Sequence, residues 1–225
     1  MQHRYFITST GTGMGKSFIT AAMVQQAKAL KRTVMAYKPV ISGFDPANVA
    51  SSDTGLILAS LGLPPTAENI ERLSPYRYAE PLAPSMAARL EKRPLDFDAL
   101  IAHGRKTLQS DDEVVLIEGV GGAMVPLNER HTVLDWIAAL GIPALLVTGT
   151  YLGSISHTLT ALAALKQADV RIATIIVNQS EDASVPLNAT LDELRYWTET
   201  PLLPVTRRAD GNWRDVTELQ IFLKD

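Results

Sequence analysis

The stretch Gly11-Thr12-Gly13-Met14-Gly15-Lys16-Ser17 lies between a short apolar run, Tyr5 to Thr8, and a helix-length segment that starts at Lys16. A glycine-rich turn between a strand and a helix is the setting a phosphate-binding loop requires. Glycines let successive backbone N–H groups turn inward around phosphate oxygens. The following helix offers the same anion its unpaired N–H groups and the positive end of its dipole. Lys16 is placed to reach β and γ phosphates, and the Ser17 hydroxyl to bind Mg²⁺. Thr10 stands where the strict pattern has its first glycine, while three loop glycines and Gly-Lys-Ser at the helix start are retained. The bland alternative is a helix N-terminus after a flexible turn, with no ligand.

On either side of this loop, strand-length apolar runs alternate with helix-length segments. Strands are expected at Tyr5–Thr8, Val34–Tyr37, Val114–Ile117, Ala144–Thr148 and Ile172–Val177. Val114–Ile117 is continuously apolar, as a strand covered on both faces should be. Helices are expected at Lys16–Leu30, Asp53–Leu61 with Ser51 or Ser52 as its cap, Ser85–Glu91, Phe97–Leu108, Val133–Leu140, Ser156–Ala168, Leu187–Trp197 and Leu219–Leu223. The proline-bearing stretch Pro64–Pro84 reads as irregular. This alternation implies a parallel sheet flanked by helices. The expected fold is therefore α/β, a single doubly wound, mostly parallel sheet of the P-loop NTPase type, with residues 1–225 as one domain.

Two further clusters handle anions. Lys38-Pro39-Val40-Ile41-Ser42-Gly43 follows the second strand, and the C-terminal ends of parallel strands open onto the edge where ligands bind. Lys38 should then approach Lys16, and two neighbouring ammonium groups repel unless anions lie between them. Glu118-Gly119-Val120-Gly121-Gly122 follows the Val114–Ile117 strand and puts an acid where nucleotide hydrolases hold Mg²⁺ or orient water. Ser17, Asp53 and Glu118 together supply three hard oxygen ligands. Asp53 has a competing reading as a helix N-terminal charge. The small residues Gly153, Ser154 and Ser156 open a helix and suit either a carboxylate or a simple cap. Asn178, ending the Ile172–Val177 strand, can read an adenine edge or hold a turn.

Composition excludes several classes. Hydrophobic residues at 46% and charged residues at 20% describe a folded globule rather than a disordered chain. A net charge of −3 argues against a dominant electrostatic grip on nucleic acid or an anionic membrane. With no cysteine, disulfide scaffolds, Cys-ligated zinc, iron–sulfur clusters and thiol nucleophiles are all out. The apolar stretch Trp136–Thr150 is interrupted by Gly141, Pro143 and Gly149 and falls short of the ~18–20 residues a membrane span needs. The polar start of the chain shows no signal peptide, and the expected location is cytoplasmic.

The order of these motifs resembles the dethiobiotin synthetase family of biotin biosynthesis. The resemblance runs through Gly11–Ser17, Lys38–Gly43, Ser52-Asp53, Ser74-Pro75-Tyr76-Arg77-Tyr78-Ala79-Glu80-Pro81, Glu118–Gly122, Leu152-Gly153 with His157, and Val177-Asn178. It implies an ATP- and Mg²⁺-dependent ligase acting on 7,8-diaminopelargonate and CO₂. It implies Lys38 and Lys16 as the catalytic pair. Nucleotide binding falls to Gly13, Met14, Gly15, Lys16, Ser17, Asp53, Glu118, Gly119, Val120, Gly121, Asn178 and Gln179. Substrate binding falls to Thr12, Lys38, Ser42, Gly153, Ser154, Ile155 and Ser156, the last four across a homodimer interface. Mg²⁺ is assigned to Ser17, Asp53 and Glu118. Lys16→Ala and Lys38→Ala are expected to abolish turnover and leave the fold intact.

The chain departs from that family at Ser9, Thr10, Tyr151, Ser156 and Ser85, and Thr206-Arg207-Arg208 does not match the family's adenine loop. Two rivals remain. One is a partition- or switch-type ATPase acting through nucleotide-dependent dimerisation, which should carry an extra lysine at the position of Gly11. The other is a nucleotide-binding homologue that has lost catalysis.

Overall fold

The apolar runs become the strands of one sheet. The computed structural model describes residues 2–181, 183–208 and 211–224. In chain order its strands are β1 (His3–Ser9), β2 (Val34–Tyr37), β3 (Val40–Ser42), β4 (Tyr76–Tyr78), β5 (Val114–Glu118), β6 (Ala144–Thr148), β7 (Ile172–Asn178) and β8 (Leu202–Val205). Its helices are α1 (Lys16–Ala29), α2 (Asp53–Leu61), α3 (Ala67–Leu73), α4 (Pro84–Leu90), α5 (Phe97–Leu108), α6 (Val133–Leu140), α7 (Ser154–Gln167) and α8 (Leu187–Trp197), with 3₁₀ turns at Val49–Ser51 and Thr217–Phe222. Six strands pair in the order β2-β5-β1-β6-β7-β8, every pair parallel.

Side chains along these strands alternate between two cores, as a two-residue period requires. Ile7, Leu145, Val147 and Ile176 face α1, α2 and the C-terminal segment, where Trp213, Val216, Leu219 and Leu223 pack. Phe6, Leu146, Ile175 and Val177 face α5, α6, α7 and α8. There the Phe6 ring meets the buried Trp136 edge-on at 4.8 Å between centroids. Helices on both faces make the sheet doubly wound, as expected. Among the described residues no helix is long and apolar enough to cross a membrane.

The differences from expectation are local. Pro64–Pro84 is not irregular throughout: it contains α3, capped by Thr66, whose hydroxyl accepts from Asn69 N, and β4, which pairs with β3. β8 was not expected. It carries Pro204, whose missing N–H is tolerated because β8 is an edge strand. The Ser156 helix starts two residues earlier, at Ser154, because Gly153 adopts φ 98° and turns the chain into it. Ser52, not Ser51, caps α2 by accepting from Gly55 N, which puts Asp53 in the first turn.

The order of the central strands sets the site. β1 lies between β5 and β6, so chain connections diverge to either side of it, and the ends of β1, β5 and β2 open on one edge. β1 and β2 are not neighbours. β5 separates them and carries Glu118 into the space between Lys16 and Lys38.

Candidate functional site

Gly15 is the N-cap of α1 at φ 86°, and no side chain caps that helix. A left-handed residue here suits glycine, and a Cβ on it would come within 2.3 Å of Asn178 Nδ2. The uncapped N–H groups at the start of α1 are therefore left for a ligand. Thr12, Gly13, Gly15, Lys16 and Ser17 line a cavity of about 560 Å³ together with Lys38, Ser42, Asp53, Val120 and Gly121. Residues expected from four separate chain segments thus share one space.

Lys38 is fully buried at the end of β2, where its backbone N–H donates to Leu73 O. Its Nζ lies 2.6 Å from Glu118 Oε1, 3.1 Å from Asp53 Oδ2 and 2.8 Å from the Gly119 carbonyl oxygen. Burial works against the Lys38 charge, yet Glu118 and Asp53 outweigh it and hold the ammonium above its ordinary value. Asp53 is half-exposed. Burial resists its charge too, but Lys38 and then the Ser17 hydroxyl keep its carboxyl below the usual carboxylate range. Burial, reinforced by the facing Lys38 ammonium, pushes Lys16 down to about 8, with Glu118 and Asp53 pulling partly back. The anions that sequence reasoning required between two lysines are therefore already built in.

Glu118 is fully buried behind the cavity. Its Oε1 accepts from Ser17 Oγ at 2.7 Å, and its Oε2 lies 2.7 Å from Thr20 Oγ1. Ser17, Asp53 and Glu118 form a cluster of hard oxygens fit for a small divalent cation. Ser17 and Asp53 reach the cavity directly. Among the described residues no group of three His, Asp or Glu side chains is placed to hold a metal ion.

Met14, Asn178 and Gln179 line a second cavity of about 250 Å³, which shares Gly13, Gly15 and Phe18 with the first. Asn178 Nδ2 donates to the Met14 carbonyl at 3.1 Å, so this amide holds the loop. Gln179 Oε1 accepts from Arg207 N, and Arg207 pairs with Glu181 at 3.1 Å.

Gly153, Ser154, Ile155 and Ser156 reach neither cavity. Ser154 is buried, Ser156 is exposed, and the adjoining His157 Nδ1 meets the Tyr151 hydroxyl at 2.7 Å. Sequence reasoning also missed Thr20, which lies four residues after Lys16 and so one turn along the same helix face. That spacing was a usable signal. Of the Pro81–Pro84 wall of the larger cavity, only Pro81 fell within a motif noted from the sequence, and no site role was assigned to it.

A glycine-rich loop, its lysine and hydroxyl, and an acid ending a neighbouring parallel strand define a P-loop nucleotide-binding protein. Residues 3–206 match the family model described as an AAA domain. The chain is 43% identical over 203 residues to the ATP-dependent dethiobiotin synthetase BioD of Acidiphilium cryptum, covering 89% of this chain and 91% of that one. It is 44% identical over 209 residues to the protein of that name from Caulobacter vibrioides, covering 92% and 93%. The chain belongs to the family of ATP-dependent dethiobiotin synthetases. Among solved structures it resembles the cell division ATPase MinD of Pyrococcus furiosus, with TM-score 0.61, 17% identity and coverage of 99% and 98%. It also resembles the cobyrinic acid a,c-diamide synthase of Mycobacterium smegmatis, with TM-score 0.59, 16% identity and coverage of 99% and 93%. At such identities these likenesses concern the fold alone.

Proposed function

We propose that this chain closes the ureido ring of dethiobiotin from 7,8-diaminopelargonate and CO₂, driven by ATP, with Lys16 and Lys38 as the groups that gather the reacting anions. One amine adds CO₂ and loses a proton to give a carbamate. A carbamate oxygen attacks the γ-phosphorus and ADP leaves, forming a mixed anhydride. The second amine then attacks the carbonyl carbon, phosphate departs, and the ring closes with loss of a proton.

Carbamate and triphosphate repel each other, so the barrier falls when fixed cations align them. Lys16 and the uncapped N–H groups of α1 receive the phosphates, with Gly13 and Gly15 letting the backbone approach. Lys38 and Ser42 receive the carbamate, and Thr12, Val120 and Gly121 line the same space. Asp53 and Glu118 hold Lys38 charged and aimed. Ser17, Asp53 and Glu118 would hold Mg²⁺, which when bound neutralises phosphate charge. The smaller cavity at Met14, Asn178 and Gln179 takes the adenine side of the nucleotide. The start of α7, Gly153 to Ser156, serves the site of a second subunit, where its N–H groups meet the substrate's tail carboxylate. The enzyme is then a cytoplasmic homodimer.

The single observation that carries this reading is the common cavity of Lys16 and Lys38, with Glu118 between their strands. ADP release should require the diamine, bicarbonate or CO₂, and Mg²⁺ together, with a product of dethiobiotin's mass in equal amount. ADP release at the same rate without diamine would sink it. Gly11 stands where a partition-type ATPase would carry its additional lysine, so that rival gains nothing from the likeness in fold.

A further inference from the structure

Ser9 ends β1 and is fully buried. Its hydroxyl oxygen lies 2.7 Å from the Gly11 carbonyl oxygen, 2.9 Å from that of Gly121, and 3.0 Å from Lys16 Nζ. A hydroxyl carries one hydrogen, so Ser9 donates to one of these carbonyls at a time and accepts from Lys16 with a lone pair. The two carbonyls belong to different loops, one after β1 and one after β5. The Ser9 carbonyl accepts in turn from Ala123 N at 2.9 Å, so backbone and side chain of one residue tie both loops together. A Cβ on Gly122 would come within 3.1 Å of Thr10 O, a measure of how closely those loops pack. The Ser9 oxygen is thereby fixed from both sides. Among the described residues it is the only hydrogen-bond acceptor that Lys16 Nζ reaches.

An ammonium has three N–H donors. One directed at Ser9 leaves two for the oxygens of a ligand in the cavity that Lys16 lines. We propose that Ser9 is a positioning residue for Lys16: its hydroxyl anchors the ammonium so that the remaining donors meet phosphate oxygens without reorganising as charge builds on the transferring phosphoryl group. This rests on the reading of Lys16 as the phosphate lysine. Alanine or glycine at this position keeps the backbone bond to Ala123 and loses the anchor.

The test uses Ser9→Ala, Ser9→Cys, Lys16→Ala and the double variant Ser9→Ala/Lys16→Ala. Cysteine nearly preserves shape, its sulfur is a weak acceptor, and the chain has no other cysteine for it to pair with. With the diamine saturating, both Ser9 variants should lower kcat about tenfold, the size of one charge-assisted hydrogen bond. The KM for the diamine should stay near wild type, while the thermal midpoint falls by a few degrees because the Gly11 and Gly121 carbonyls lose a buried donor. By titration calorimetry, Ser9→Ala should weaken ATP binding when Lys16 is present and leave it unchanged in the Lys16→Ala background. Wild-type kcat in a folded Ser9 variant, or equal weakening with and without Lys16, overturns the proposal. Full turnover in Lys16→Ala overturns instead the reading of Lys16 on which the proposal stands. Should Ser9→Ala not fold, Ser9→Cys carries the same comparison, alone and with Lys16→Ala.

Discussion

Lys38 and Glu118 meet at 2.6 Å, and their side chains are only 2% and 0% exposed. They follow the paired residues Tyr37 and Ile117 at the ends of adjacent parallel strands, so the ladder itself sets their approach. Two desolvated charges of this kind are costly apart and tolerable together. Sequence reasoning alone expects the fold to survive loss of Lys38; its burial changes that expectation.

Lys38→Ala should therefore abolish dethiobiotin formation and also lower the unfolding free energy by about 3–5 kcal/mol, because Glu118 is left buried beside no cation of its own. The double variant Lys38→Met/Glu118→Gln should remain inactive yet recover most of that loss. Urea unfolding of the three proteins decides the matter. A Lys38→Ala variant as stable as wild type would show that the pair carries no structural weight.

Thr20 offers a gentler probe of the same acid. Its hydroxyl lies 2.7 Å from Glu118 Oε2 and 2.9 Å from the Lys16 carbonyl. Thr20→Val keeps the shape and removes the donor, leaving one buried carboxylate oxygen with no partner. Stability should fall by about 1–3 kcal/mol. The Mg²⁺ concentration for half-maximal activity should rise, since Glu118 is then free to turn from Ser17. An unchanged Mg²⁺ requirement would remove Thr20 from the support of the metal set.

Gly15 and Asn178 constrain each other across the loop. Gly15→Ala adds a strained left-handed backbone, which costs about 1–3 kcal/mol, and forces Asn178 off the Met14 carbonyl. ATP binding, measured by calorimetry, should drop below detection. Asn178→Ala should weaken it far less, since the glycine backbone survives. Equal losses in the two variants would mean that the amide rather than the backbone shapes the loop.

Much of this was legible beforehand because the informative residues are local. Gly11–Ser17, Lys38 and Glu118 each sit directly after an apolar run, so strand and site were read from the same few letters. Asp53 was legible through its cap, although only the structure chose Ser52 over Ser51. The order of strands was not, since nothing in Val114–Glu118 says that it inserts between β1 and β2. β3, β4 and β8 are three or four residues long with proline in or beside them, too short for a two-residue period to register. Ser9 makes its contacts between segments distant in the chain, which no local pattern can announce, whereas Thr20 lay within reach of the one-turn spacing from Lys16.

Asp135 gives a prediction remote from the site. It forms a reciprocal cap on α6: Thr132 N donates to Asp135 Oδ2 at 2.6 Å, and Asp135 N donates to Thr132 Oγ1 at 3.4 Å. Burial resists the Asp135 charge, but the Thr132 amide and hydroxyl outweigh it and hold the carboxyl below its ordinary value. A carboxyl whose pKa is lower folded than unfolded stabilises the fold fully above its unfolded value of about 3.9, and that stabilisation is lost as pH falls through the lower, folded value. Between about pH 5 and pH 3, the wild-type chain should therefore lose more unfolding free energy than Asp135→Asn, by about a few tenths of a kcal/mol because water screens this exposed carboxylate. Urea unfolding of both proteins at each pH measures the difference. Parallel pH profiles for the two would show that the carboxylate is held no better in the folded chain than in the unfolded one.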